Sequence, residues 1–211
     1  YILVPFIAPM FGREKVKNTD LIESHSVFYT NCNRAYVKPE LNRVLENVAQ
    51  NLDKELPGIK LIYLDANFPF IDGFPLLPHL SDDDGEKIDV TFIYEEKCRV
   101  KNDKVSRLGY GVYETPAENE YNQNRACKEM GYWQYDFAKY GTFGSINPEI
   151  EFSKKGTKAL AEFIIREPAV GKLFIEPHLK KRLGLTSGKV RFQVCRAVRH
   201  DDHIHFQLIS K

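Results

Sequence analysis

The spacing of hydrophobic positions predicts two amphipathic helices separated by short apolar strands. From Val37 the chain reads as a helix: Pro39 sits at a first helical position, and Leu41, Val44, Leu45, Val48, Leu52 and Leu56 recur at helical spacing before Pro57-Gly58 ends it. A second helix is expected where Ser153 offers an N-cap and Leu160, Phe163 and Ile164 follow, stopping near Pro168. Residues 59–64 read as a strand, as do residues 90–94 in a run that begins at Asp89, and residues 172–175. A short basic helix then starts near His178, which reads as structural, and closes at Gly184.

The end of the chain shows a different period. Val190, Phe192 and Val194 alternate with Arg191, Gln193 and Cys195, which predicts a strand running to Val198. A turn through Arg199-His200-Asp201-Asp202 and a return strand over 203–209 would complete a terminal antiparallel hairpin. On the return strand His203 and His205 project from one face, and Ile204 and Phe206 from the other.

Composition narrows the picture only a little. A chain of 211 residues with 43% apolar residues fits one large domain with a sizeable core. Residues 18–211 are read as that domain, and 95–153 as a poorly legible insertion whose aromatic residues wall a groove or fill core. Residues 1–17 are an apolar N-terminal segment, too short to span a bilayer. They are expected to be the remnant of a signal peptide or membrane anchor, which favours export to the periplasm or cell envelope; the alternative is a strand or coil packed on the domain. A net charge of +1 provides no global field for nucleic acid. Cys32, Cys98, Cys127 and Cys195 contain no C-x-x-C pair, which argues against a zinc knuckle and leaves disulfides and buried thiols both open.

Two clusters carry candidate chemistry. After an aromatic, Gly- and Pro-rich loop over 67–78 come His79, Asp82 and Asp89, a histidine and carboxylates at the approach to a strand, a layout suited to a metal. The second cluster is His200, His203 and His205. In order and spacing the two together resemble the penicillin-insensitive murein endopeptidases, zinc peptidases grouped with the lysostaphin-type and D-Ala-D-Ala peptidases. The first motif of that family, His-x-Ser-His-x-x-Gly-x-x-x-Asp, aligns with residues 79–89, and its second with His200, His203 and His205. The similarity covers residues 59–94 and 172–211.

The resemblance implies a compact α+β domain with a central antiparallel sheet carrying the metal ligands and helices packed on it. It also implies a zinc cofactor and peptidoglycan peptides as substrate. Asp89 and His205 match ligand positions, His203 the general base, and His79 and His200 auxiliary histidines. Asp201 and Asp202 are expected to orient the imidazoles. One position departs: Asp82 stands where the family has its principal first-motif histidine. Zinc accepts a carboxylate oxygen at about the distance of an imidazole nitrogen, roughly 2.0–2.2 Å, so either Asp82 or His79 can serve as third ligand. Two carboxylates would neutralise the ion and weaken its effect on bound water. An impaired peptidase-like domain that binds cell-wall peptide or a protein is therefore the alternative function.

Overall fold

The computed structural model describes residues 3–74, 84–135, 142 and 144–209. Its helices are α1 (Val4–Ile7), α2 (Val27–Asn31), α3 (Pro39–Glu55), α4 (Gln123–Glu129), α5 (Lys154–Arg166) and α6 (Pro177–Arg182). The strands are β1 (Glu14–Lys15), β2 (Ile22–Ser24), β3 (Tyr36–Val37), β4 (Leu61–Tyr63), β5 (Lys87–Thr91), β6 (Tyr94–Glu96), β7 (Arg99–Lys101), β8 (Glu151–Phe152), β9 (Val170–Phe174), β10 (Val190–Arg191) and β11 (His203–Leu208). Six of them form the main sheet in the order β10-β9-β11-β5-β4-β2. Its four central strands are antiparallel neighbours, and the two outer pairs, β10 with β9 and β2 with β4, run parallel. A compact α+β domain with a largely antiparallel central sheet is thus what the chain forms. β1 pairs with β3, and β7-β6-β8 makes a small third sheet.

The long helices form for the reasons their sequences give. Pro39 opens α3 with a fixed φ, Glu40 and Lys54 complement the dipole at its two ends, and Leu41, Val44, Leu45, Val48 and Leu52 bury one stripe. In α5, Ser153 Oγ accepts from the Gly156 N–H at 3.2 Å, the N-cap that the sequence predicts. Both helices pack into one core with Ile88 and Val90 of β5 and Ile204 and Phe206 of β11. The alternation of strand side chains therefore sends Asp89, His203 and His205 to the opposite face.

Three expectations are corrected. Asp89 lies in the middle of β5, which starts two residues earlier at Lys87. The strand expected over 190–198 ends at Arg191, Val194 is exposed, and no terminal hairpin forms. Instead β11 inserts between β5 and β9, so both of its edges are paired, and β10 joins the far side of β9 in parallel. The physical reason is Cys195: its disulfide to Cys127 draws the chain after β10 towards the insertion and away from the sheet. The cysteines divide accordingly, with Cys32 and Cys98 free and exposed.

The N-terminal segment carries α1 and a 3₁₀ turn over Ala8–Phe11, with Leu3, Phe6 and Met10 exposed. Among the described residues no helix is long and apolar enough to cross a membrane.

Candidate active site

Register places the site. β5 and β11 align Asp89 opposite His205 and Thr91 opposite His203, so Asp89 and both histidines share one face at neighbouring positions. The His205 Nδ1–H donates to Asp89 Oδ1 at 2.8 Å, and His203 Nε2 stands 3.7 Å from the same oxygen. Asp89 is fully buried, and all three histidines of the second cluster are nearly so. The His200 ring lies 4.9 Å from that of His203 and 5.8 Å from that of His205, centroid to centroid. Phe174, opposite His205 on β9, closes this side of the group.

The adjacent carboxylates behave differently from one another. Asp202 accepts from His203 Nδ1, and its other oxygen accepts from the Gly111 N–H at 2.6 Å. A carboxylate at Nδ1 selects the tautomer protonated there and leaves Nε2 as the basic nitrogen facing Asp89. Asp201 does not orient an imidazole as expected. It takes both arms of Arg199, and the Arg199 guanidinium also lies 3.7 Å over the Tyr113 ring. Burial pushes the Asp201 carboxyl up, against the pull of Arg199.

Sequence reasoning missed Tyr110. Its hydroxyl donates to Asp89 Oδ2 at 2.6 Å, and its ring meets His203 edge-on at 4.9 Å. Burial raises its phenol well above the usual range, with Asp89 adding to the effect, so it stays a proton donor. The segment that delivers it, Gly109-Tyr110-Gly111, has both glycines at φ +84°. A Cβ at Gly111 would lie 1.8 Å from Thr142 Oγ1, and one at Gly109 2.2 Å from Leu64 Cδ2, so only glycine fits either place. That Gly-Tyr-Gly triplet was the one available signal, in a stretch with no periodicity.

Residues 111–120 then strap the insertion to the end of the chain. The Glu114 N–H donates to the Asp201 carbonyl at 2.6 Å, His178 Nε2 meets the Glu114 carbonyl at 2.7 Å, and Arg182 pairs with Glu114 and Glu120. His178 is structural, as expected. Behind this strap Glu176 Oε1 accepts from the Tyr135 hydroxyl and from the His200 N–H.

Glu176 gives the site a pH dependence. Burial first and Asp201 second push its carboxyl from 4.5 up to about 7. Between those values the folded protein holds a proton that the unfolded chain has released, so stability falls as pH rises through that window. Glu176→Gln keeps an acceptor for Tyr135 and removes the titration. It is expected to flatten the pH dependence of urea unfolding between pH 5 and 8 and to gain about 3 kcal/mol at pH 8.

The donors can be compared with what zinc needs. Asp89 Oδ1 and His205 Nδ1 are the right types, and their 2.8 Å separation is somewhat shorter than the roughly 3.3 Å between two donors of a tetrahedral zinc. Among the described residues no group of three or more side chains could hold a metal. The other two candidates, His79 and Asp82, lie outside the described residues. The set fits in kind and, within the described residues, is one donor short.

No protein-family model matches this chain, and no curated protein matches it.

Proposed function

We propose that this chain is a zinc-dependent peptidase of the cell envelope that hydrolyses the cross-link peptides of peptidoglycan. The observation that carries the reading is the convergence of Asp89, His203 and His205 on one sheet face, with Asp202 behind His203. Asp89 and His205 would hold the metal together with His79 or Asp82. Zinc, when bound, supplies a Lewis acid that polarises a peptide carbonyl and lowers the pKa of water. The chain's own residues do the rest. With its Nδ1–H held by Asp202, His203 takes a proton from the attacking water at Nε2 and returns it to the departing amine. Tyr110 donates to the Asp89 oxygen that would face away from the metal and helps fix the plane of the carboxylate. His200, held through its N–H by Glu176, packs against both rings and keeps them from turning.

Two features support an exported location. The Cys127–Cys195 disulfide suits an oxidising compartment. The exposed side chains Leu3, Phe6 and Met10 suit contact with a lipid surface through the N-terminus. The test is release of soluble muropeptides from isolated peptidoglycan. His203→Ala is expected to lower the rate by at least about a hundredfold while leaving bound zinc unchanged, since His203 moves protons and does not hold the metal. Full activity in that variant would sink the reading.

One observation favours a second reading. The direct 2.8 Å hydrogen bond from His205 Nδ1 to Asp89 Oδ1 pairs with each other two atoms that would otherwise face a metal. On that reading Asp82 has retired the site, and the domain binds cell-wall peptide or a protein without cutting it.

A further inference from the structure

The chain between Asn67 and Gly85 carries His79 and Asp82, and its two ends are fastened together. Asn67 is fully buried and its side chain serves both ends. Its Oδ1 accepts from the Gly85 N–H at 2.9 Å, and its Nδ2 donates to the Lys87 carbonyl at 2.7 Å, two residues before Asp89. The Gly85 carbonyl in turn accepts from the Lys38 N–H at 2.8 Å, just before α3.

Arg13 completes this clasp from the N-terminal segment. Its Nη1 donates to the Phe68 carbonyl at 2.7 Å, its Nη2 pairs with Asp72, and Phe11 beside it meets Phe70 edge-on at 5.4 Å. The same guanidinium lies against Gly85, where a Cβ would come within 2.6 Å of Arg13 Nε. With φ at +78° as well, position 85 is a place for glycine. One side chain thus touches both ends of the connection.

Burial says what this arginine is for. Arg13 is only 2% exposed, whereas the side chain of its partner Asp72 is 77% exposed. Burying a guanidinium against a largely solvated carboxylate is costly, and an apolar side chain of similar length would fill the space without that cost. What an apolar side chain cannot do is hold a backbone carbonyl and a carboxylate at fixed angles to each other. The guanidinium therefore serves geometry more than stability.

We propose that Arg13 is a positioning residue of the candidate active site: with Asn67 it fixes where the stretch bearing His79 and Asp82 leaves and re-enters the fold, and so sets how tightly the chain holds zinc. Fixing the ends of a connection lowers the freedom that must be given up when one of its residues becomes a ligand. The inference rests on the peptidase reading for the metal and on the contacts above for the clasp. It also gives residues 1–17 a part in the site, beyond that of an apolar tether.

The test compares Arg13→Met with the unaltered full chain by amide hydrogen exchange and by zinc affinity in competition with a chelator. Methionine fills the space and leaves no buried charge unpaired, so the melting temperature is expected to change little. The Gly85 N–H is expected to exchange at least about tenfold faster, with α3 and β11 unchanged, and zinc to bind at least about tenfold more weakly. Asp72→Ala, at an exposed position that leaves the core intact, is expected to shift both in the same direction by about two- to threefold. Zinc affinity unchanged in both variants, or Gly85 exchange unchanged in Arg13→Met, would overturn the proposal. An unaltered chain that binds no zinc overturns the peptidase reading and, with it, the role of Arg13 at the site; that failure is told apart because it shows without any variant.

Discussion

Asp89→Asn is expected to lower hydrolysis of cross-linked peptide by about a thousandfold, equivalent to about 4 kcal/mol in the barrier, with the fold preserved. Asparagine has the size of aspartate, and its amide can still meet the Tyr110 hydroxyl and the His205 ring that the carboxylate meets now. What it lacks is the negative charge, and on the proposed reading that charge would offer zinc an anionic oxygen and offset the ion's charge; it also faces His203 Nε2 at 3.7 Å. Since Asp89 is fully buried, no solvent anion can take its place. Circular dichroism melts of the variant separate this loss from unfolding. An active, well-folded Asp89→Asn would mean that the sheet face is structural.

The second large effect concerns stability. Replacing both Cys127 and Cys195 with alanine is expected to lower the unfolding free energy by about 4 kcal/mol, measured in urea under oxidising conditions. The bridge closes a loop across a sequence separation of 68, so it removes much of the freedom of the unfolded chain. In the folded state it holds the insertion against the segment after β10, beside the buried Tyr135 and near Phe192. Activity is expected to fall along with stability, because Tyr135 reaches Glu176, which in turn holds the His200 N–H. A loss below about 1 kcal/mol would mean that the reduced chain keeps the same packing by other means.

What the sequence made legible follows from locality. α3 and α5 carry their start signals (Pro39 and the Ser153 cap), their apolar stripes and their stops in local sequence, and both were readable nearly to the residue. The two-residue period of β11 likewise placed His203 and His205 on one face with Ile204 and Phe206 in the core. Pairing is a different matter, because β11 joins strands more than a hundred and about thirty residues away, and no local pattern encodes either partner. Alternation at 190–195 suggested a strand, but a long-range disulfide overrode it at Cys195. Tyr110 was hidden for the same reason, since it reaches Asp89 from a loop whose shape depends on two glycines and on Leu64 and Thr142. Asp201 and Asp202, adjacent in sequence, turn to different partners, and only the surrounding Arg199 and Gly111 decide which one serves His203.

The central claim is that Asp89 and His205 belong to a working zinc site. Its most direct test is the metal content of the chain purified without added zinc, beside the variants Asp82→His and Asp89→Ala. The account predicts close to one zinc per chain in the unaltered protein and none in Asp89→Ala. Zinc retained only by Asp82→His, with the unaltered chain empty, would contradict it.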